Sequence, residues 1–123
     1  AARVAAADYP LGFIIAPIFV FPGWQDEYGG LLRDLAAALP AAAKDDLTFE
    51  FITHRFTKRA KANIVAIFPR TTLPLDEEER KFKFGQFGYG KYIYGDETMR
   101  TVRGFMEEQA AAHFPAAKVE YFV

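Results

Sequence analysis

Six aromatics and four cations, with no acid among them, fall within the fifteen residues from Arg80 to Tyr94. Cations at this density take phosphates, and exposed π-faces stack on bases, so the chemistry such a run supports is the holding of a nucleic acid; the same composition also makes an ordinary hairpin with its aromatics in the core and its lysines in water. Lys81, Lys83 and Lys91 are the phosphate candidates; Phe87 and Tyr89 are the stacking candidates, with Gln86 beside them. A second cationic group, Arg55 with Lys58, Arg59 and Lys61, follows Thr53-His54. Arginine grips phosphate or carboxylate in a bidentate manner. Arg55 and His54 stand where a strand pattern gives way to a helix pattern, and Thr57 is placed to cap that helix. The strand-end position favours a binding role for Arg55, whereas Lys58, Arg59 and Lys61 read as solvated residues of a helix face.

Other chemistries lack their residues. The chain has no cysteine and no serine, so thiolate ligation and Ser or Cys nucleophiles are excluded. His54 and His113 are the only histidines and have no metal-ligand spacing. No glycine loop of a phosphate-binding type precedes a helix. The four carboxylates Asp76 to Glu79 cannot share one face of a helix or strand, and read as a solvated turn. Net charge is −1, so attraction to a polyanion must come from local patches.

The elements that position these residues follow from periodicity. A strand is expected over Gly12 to Phe21, apolar enough to be buried on both faces, with a bulge or strand end near Pro17. The positions Trp24, Tyr28, Leu31, Leu32, Leu35 and Leu39 predict a helix, as do Ala60, Ile64, Val65 and Phe68 within 57–68. Leu47 to Thr53 reads as a second strand. Gly85 and Gly88 bracket Gln86-Phe87, which predicts two strands joined by a tight two-residue turn. In that register Phe84 faces Tyr89 and Lys81 faces Tyr92. Asp96 is the expected cap of a helix reaching Phe114, and Val119 to Val123 is a last strand. Alternating helices and strands in the first half imply parallel strands with helical crossovers. A helix at the very start, leading into so small a sheet, suggests a portion of a larger α/β barrel or doubly wound sheet. No stretch is apolar and long enough to span a membrane, and the first residues lack the pattern of a signal peptide.

Four segments together carry a family resemblance: Tyr9-Pro-Leu-Gly-Phe-Ile-Ile-Ala-Pro17, Phe51-Ile-Thr-His-Arg-Phe-Thr57, the run Arg80 to Tyr94, and Phe114-Pro-Ala-Ala-Lys-Val-Glu-Tyr-Phe122. In order, over nearly the whole chain, they resemble the C-terminal part of the spore photoproduct lyase family, radical S-adenosylmethionine enzymes that repair a thymine dimer in spore DNA. The resemblance implies an α/β fold, the C-terminal part of a partial (β/α) barrel followed by a β-hairpin and a C-terminal helix and strand. The corresponding divisions are 1–79, 80–95 and 96–123, all of one structural domain. It implies S-adenosylmethionine and a 4Fe–4S cluster in the complete enzyme, with cluster ligands outside this chain and Ala16 and Pro17 lining the adenosyl group. His54, Arg55, Lys81, Lys83, Gln86, Phe87, Tyr89 and Lys91 would meet DNA or lesion. Damaged double-stranded DNA and the N-terminal half of the same enzyme are the implied partners, in the cytoplasm of the spore core or germinating spore. The fragment alone would be inactive. At the hairpin tip the chain has Gln86-Phe87 where family members can carry Arg-Tyr, which keeps an aromatic and drops a charge. A non-catalytic nucleic-acid-binding module, or a related radical enzyme with another substrate, remains an alternative on the residues.

Overall fold

The computed structural model describes residues 1–7 and 9–123. After a short helix α1 (Ala2–Ala6), the order is β1 (Leu11–Ile18), α2 (Trp24–Ala38), a 3-10 turn (Ala41–Lys44), β2 (Leu47–Thr53), α3 (Lys58–Ile67), β3 (Arg80–Phe84), β4 (Gly90–Tyr94), α4 (Asp96–His113) and β5 (Lys118–Phe122). Strands β1, β2 and β5 form one parallel sheet in the order β1-β2-β5, as the alternation of helix and strand requires. The antiparallel hairpin β3-β4 is a separate sheet, inserted with α3 and α4 into the crossover from β2 to β5.

The core forms where α2 and α4 cover the sheet. Phe49 and Phe51 of β2 are fully buried, with Ile18 of β1, Leu32 of α2, Val102 and Met106 of α4, and Phe114. Phe49 stacks on Phe51 with ring centroids 5.6 Å apart and meets Phe114 edge-on at 5.0 Å. Trp24 joins α2 to α4 through an edge contact with Phe105 at 5.0 Å. Among the described residues no helix is long and apolar enough to cross a membrane.

Several expectations are corrected. Strand β1 stops at Ile18, short of Phe21, with a register shift between Ile15 and Ile18 where Pro17 cannot donate to the ladder. It is not buried on both faces: Ile14 is 65% exposed. Leu31 of α2 is exposed rather than inward. Helix α3 buries none of its residues, and Val65 and Phe68 are open to solvent because no other described element packs on that face. Gly95, not Asp96, is the N-cap of α4, and no side chain caps it. Thr57 does cap α3, accepting a hydrogen bond from the Ala60 N–H at 3.0 Å.

The hairpin register differs by one residue from the expected one. Arg80 faces Tyr94, Phe82 faces Tyr92 and Lys83 faces Lys91. The cause is the turn. The Gly85 N–H donates to the Tyr89 carbonyl at 2.7 Å, so the loop holds Gln86, Phe87 and Gly88, and Gly88 takes the left-handed conformation with φ 80°. A one-residue slip reassigns the faces. Lys81, Lys83 and Lys91 now share one face with Ile93, while Arg80, Phe82, Phe84, Tyr92 and Tyr94 share the other.

Candidate nucleic-acid interface

The site is built at the carboxyl end of the parallel sheet, where β2 runs out into Thr53-His54-Arg55-Phe56-Thr57. The extended chain sends His54 and Phe56 to one side and Arg55 and Thr57 to the other. Each side meets a different face of the hairpin.

His54 and Phe56 anchor the hairpin base. An isolated antiparallel bridge ties Phe56 to Tyr92: the Phe56 N–H donates to the Tyr92 carbonyl at 3.1 Å, and the Tyr92 N–H donates to the Phe56 carbonyl at 2.7 Å. Their rings stack at 5.3 Å. His54 lies between Phe19 at 4.4 Å and Phe56 at 5.9 Å, so aromatic rings run from the exit of β1 to the hairpin. Arg80 closes the joint. Its guanidinium donates to the His54 carbonyl at 2.8 Å and the Pro74 carbonyl at 3.0 Å, and lies 3.2 Å from His54 Nδ1. It also sits 3.6 Å over the Tyr94 ring. Burial, and then the Arg80 charge, push His54 down to about 4, so it is neutral and Nδ1 accepts. Tyr94 extends the anchor to the segment leaving β1: its hydroxyl accepts from the Val20 N–H at 2.9 Å.

Arg55 and Thr57 face the hairpin tip. With Lys83, Gln86, Phe87, Tyr89 and Lys91 they line a cavity of about 420 Å³. Three cations converge there, and none of the lining residues is an acid. Lys83 and Lys91 stand directly opposite each other in the ladder, an arrangement that is destabilising by itself. Arg55 Nε is buried and has no hydrogen-bond partner among the described residues. An excess of positive charge with an unsatisfied donor is the arrangement an anion would complete. The aromatics around it are bare: Phe87 is 79% exposed and Tyr89 is 70% exposed.

The cavity thus gathers six of the residues singled out from the sequence: Arg55, Lys83, Gln86, Phe87, Tyr89 and Lys91. His54 lies behind it in the anchor. Lys81 lies at the base, with Nζ 3.0 Å and 3.1 Å from the two Asp96 carboxylate oxygens. Ala16 and Pro17 lie elsewhere, along β1 beside α2, in an apolar groove with Phe13, Tyr28 and Leu35. Arg80 and Tyr94 are the residues sequence reasoning passed over. Arg80 had read as one more cation of the run; the signal that distinguishes it is its position opposite Tyr94, visible only in the correct register.

The surface at Ala16 and Pro17 is an apolar groove between β1 and α2. It offers apolar surface and the main chain of an edge strand, and no charged side chain that would grip the amino-acid end of S-adenosylmethionine. The 4Fe–4S cluster finds no thiolate in a chain without cysteine, and no group of three or more metal-ligating side chains occurs among the described residues.

Comparison with known proteins identifies the family. The spore photoproduct lyase family model matches residues 1–123. The chain is 49% identical over 122 residues to spore photoproduct lyase of Bacillus subtilis (strain 168), covering 99% of this chain and 36% of that protein. It is 47% identical over 122 residues to the enzyme of Geobacillus sp. (strain Y412MC61), with the same coverage. The chain therefore spans about a third of the length of the curated relatives it matches. Among solved structures, spore photoproduct lyase complexed with dinucleoside spore photoproduct superposes with a TM-score of 0.94 at 46% identity, covering 99% of this chain and 36% of that one. A mutant form with bound AdoMet and the dinucleoside spore photoproduct gives the same TM-score, identity and coverage.

Proposed function

The chain belongs to the spore photoproduct lyase family, and we propose that it forms the DNA-holding part of an enzyme that repairs the spore photoproduct. The observation that carries this reading is the un-neutralised group Arg55, Lys83 and Lys91 beside the bare aromatic tip. Arg55 holds a phosphate of the lesion strand at the sheet's carboxyl end, the side on which ligands of parallel α/β sheets collect. Lys83 and Lys91 hold flanking phosphates without reading sequence. Phe87 enters the duplex and fills the stack that the lesion vacates. A cross-linked step is already poorly stacked, so extruding it costs less than at normal DNA.

S-adenosylmethionine, when bound, supplies the radical chemistry, and Ala16 and Pro17 contribute to the wall that shapes its site. The cluster ligands and the groups that return hydrogen to the product belong to the rest of the enzyme, which is this chain's obligate partner. Alone, the chain positions DNA and turns nothing over.

The test is Phe87→Ala in the complete enzyme. Base–aromatic stacking contributes about 1–3 kcal/mol, so affinity for a lesion duplex is expected to fall by roughly 5- to 150-fold. Turnover of a free dinucleotide lesion, which needs no wedge, is expected to hold. Equal losses on both substrates would place Phe87 in the reaction pocket and reject the wedge.

A further inference from the structure

The hairpin has a second cavity, on the side away from Lys83 and Lys91. It lies between the first turn of α3 and the aromatic face of the ribbon, has a volume of about 420 Å³, and is lined by Lys58, Arg59, Phe82, Tyr89 and Tyr92. Thr57 and Tyr89 belong to both cavities and form the wall between them. Lys58 and Arg59 are exposed, and neither meets an acid among the described residues. Lys61, one turn further, differs: its Nζ lies 3.8 Å from Glu77. The ring faces are available too, with Phe82 42% exposed and Tyr89 70% exposed. Phe82 is held in place by lying over Gly90, where even a Cβ would collide with its ring.

We propose that this second groove holds the DNA strand opposite the lesion. The inference rests on the reading that the hairpin enters a duplex. A wedge that opens a duplex separates two strands, and each then needs a path past the wedge. Here two cavities flank the ribbon, one reaching round its tip past Phe84 and one over Phe82 and Tyr92, and each combines cations that meet no acid among the described residues with an exposed aromatic surface. Those are the two components of a single-strand track: cations for the backbone, π-faces for unstacked bases. The Arg55 cavity takes the lesion strand because it holds the buried donor, Arg55 Nε, that no other group among the described residues satisfies. The Lys58 cavity, across Thr57 and Tyr89, takes the other. Lys58 and Arg59 receive its phosphates, and Phe82 and Tyr89 receive the two orphaned bases.

The experiment uses the complete enzyme with Lys58→Ala and Arg59→Ala combined, and measures equilibrium binding of a lesion-bearing duplex and of the same lesion strand alone, each over a range of salt. The expected result is at least about tenfold weaker duplex binding, with the salt slope reduced by roughly 2, from two lost phosphate contacts. Single-strand binding is expected to be unchanged, which also reports a folded enzyme. Equal weakening on both ligands, or on neither, overturns the proposal. Phe87→Ala run in parallel separates the two readings. If it weakens duplex binding while the double variant does not, the hairpin is a wedge and the second groove is empty. If it too leaves the duplex untouched, the wedge fails and the groove fails with it.

Discussion

The two ends of one hairpin have the same kinds of residues and opposite fates. At the base, Arg80, Tyr92 and Tyr94 are tied to the exits of β1 and β2 by backbone pairing, by a guanidinium with three partners, and by stacked rings. At the tip, Phe84, Phe87 and Tyr89 are all at least 70% exposed, and Lys83 faces Lys91 with no acid between. Aromatics and cations stabilise the fold at one end and are left unsatisfied at the other. A rigid base would serve the proposed wedge: a tip that could swivel would lose much of its stacking energy to ordering on binding.

The sharpest way to break this contrast is Arg80→Ala. It removes donors from two carbonyls and from His54 Nδ1, and the cation from the Tyr94 ring. A stability loss of about 3 kcal/mol is expected, whereas Phe87→Ala at the tip should change stability by less than about 0.5 kcal/mol. Denaturant unfolding of the two variants decides it; similar losses would mean that base and tip are not mechanically distinct. Arg80→Lys should recover little, because an ammonium cannot hold the planar fork.

The next effect is one of pH and belongs to the base alone. His54 is held down to about 4 in the folded chain against an ordinary 6.5, by burial first and Arg80 second. The unfolded chain therefore binds the proton more readily. The stability His54 contributes is complete above about pH 6.5 and is lost as pH falls toward 4. The expected loss between pH 7 and pH 5 is up to about 2 kcal/mol, read as a falling melting temperature. His54→Gln keeps a side-chain acceptor and removes the titration, so that acid-side slope should flatten; an unchanged slope would place the proton elsewhere.

How much of this was legible in the sequence follows the range of the interactions involved. Strand Leu47–Thr53 and the Thr57 cap were readable because alternation and capping are local. The hairpin was readable as an element, and its register was not. Gly85 and Gly88 fit a two-residue turn as well as a three-residue loop with Gly88 left-handed, and only the Gly85–Tyr89 hydrogen bond separates the two. That single residue decided whether lysines and aromatics were mixed or sorted onto two faces. The α3 face misled for a different reason: Ile64, Val65 and Phe68 carry the right period for burial, but periodicity does not say whether another element is there to cover them. Arg55, Lys83 and Lys91 each stand out in the sequence, yet their convergence joins the exit of β2 to a hairpin about thirty residues later, a contact no local pattern encodes.

The smallest effect tests the contrast by its sign. Lys83→Ala removes one of two like charges that face each other across the ladder, so stability should rise, by a few tenths of a kcal/mol. In the complete enzyme the same change removes a phosphate contact: binding to every duplex should weaken alike, damaged or not, and the salt slope should fall by about one unit. Lys81→Ala, two residues closer to the base, should do the reverse. Its partner is Asp96, at 3.0 Å on an exposed surface, so stability should fall by at most about 1 kcal/mol and the salt slope should stay. A lysine that costs stability and adds affinity is kept for its ligand, and one that adds stability and no affinity is kept for the fold. If both variants lose stability and neither moves the slope, Lys83 is an ordinary surface lysine and the tip holds no phosphate.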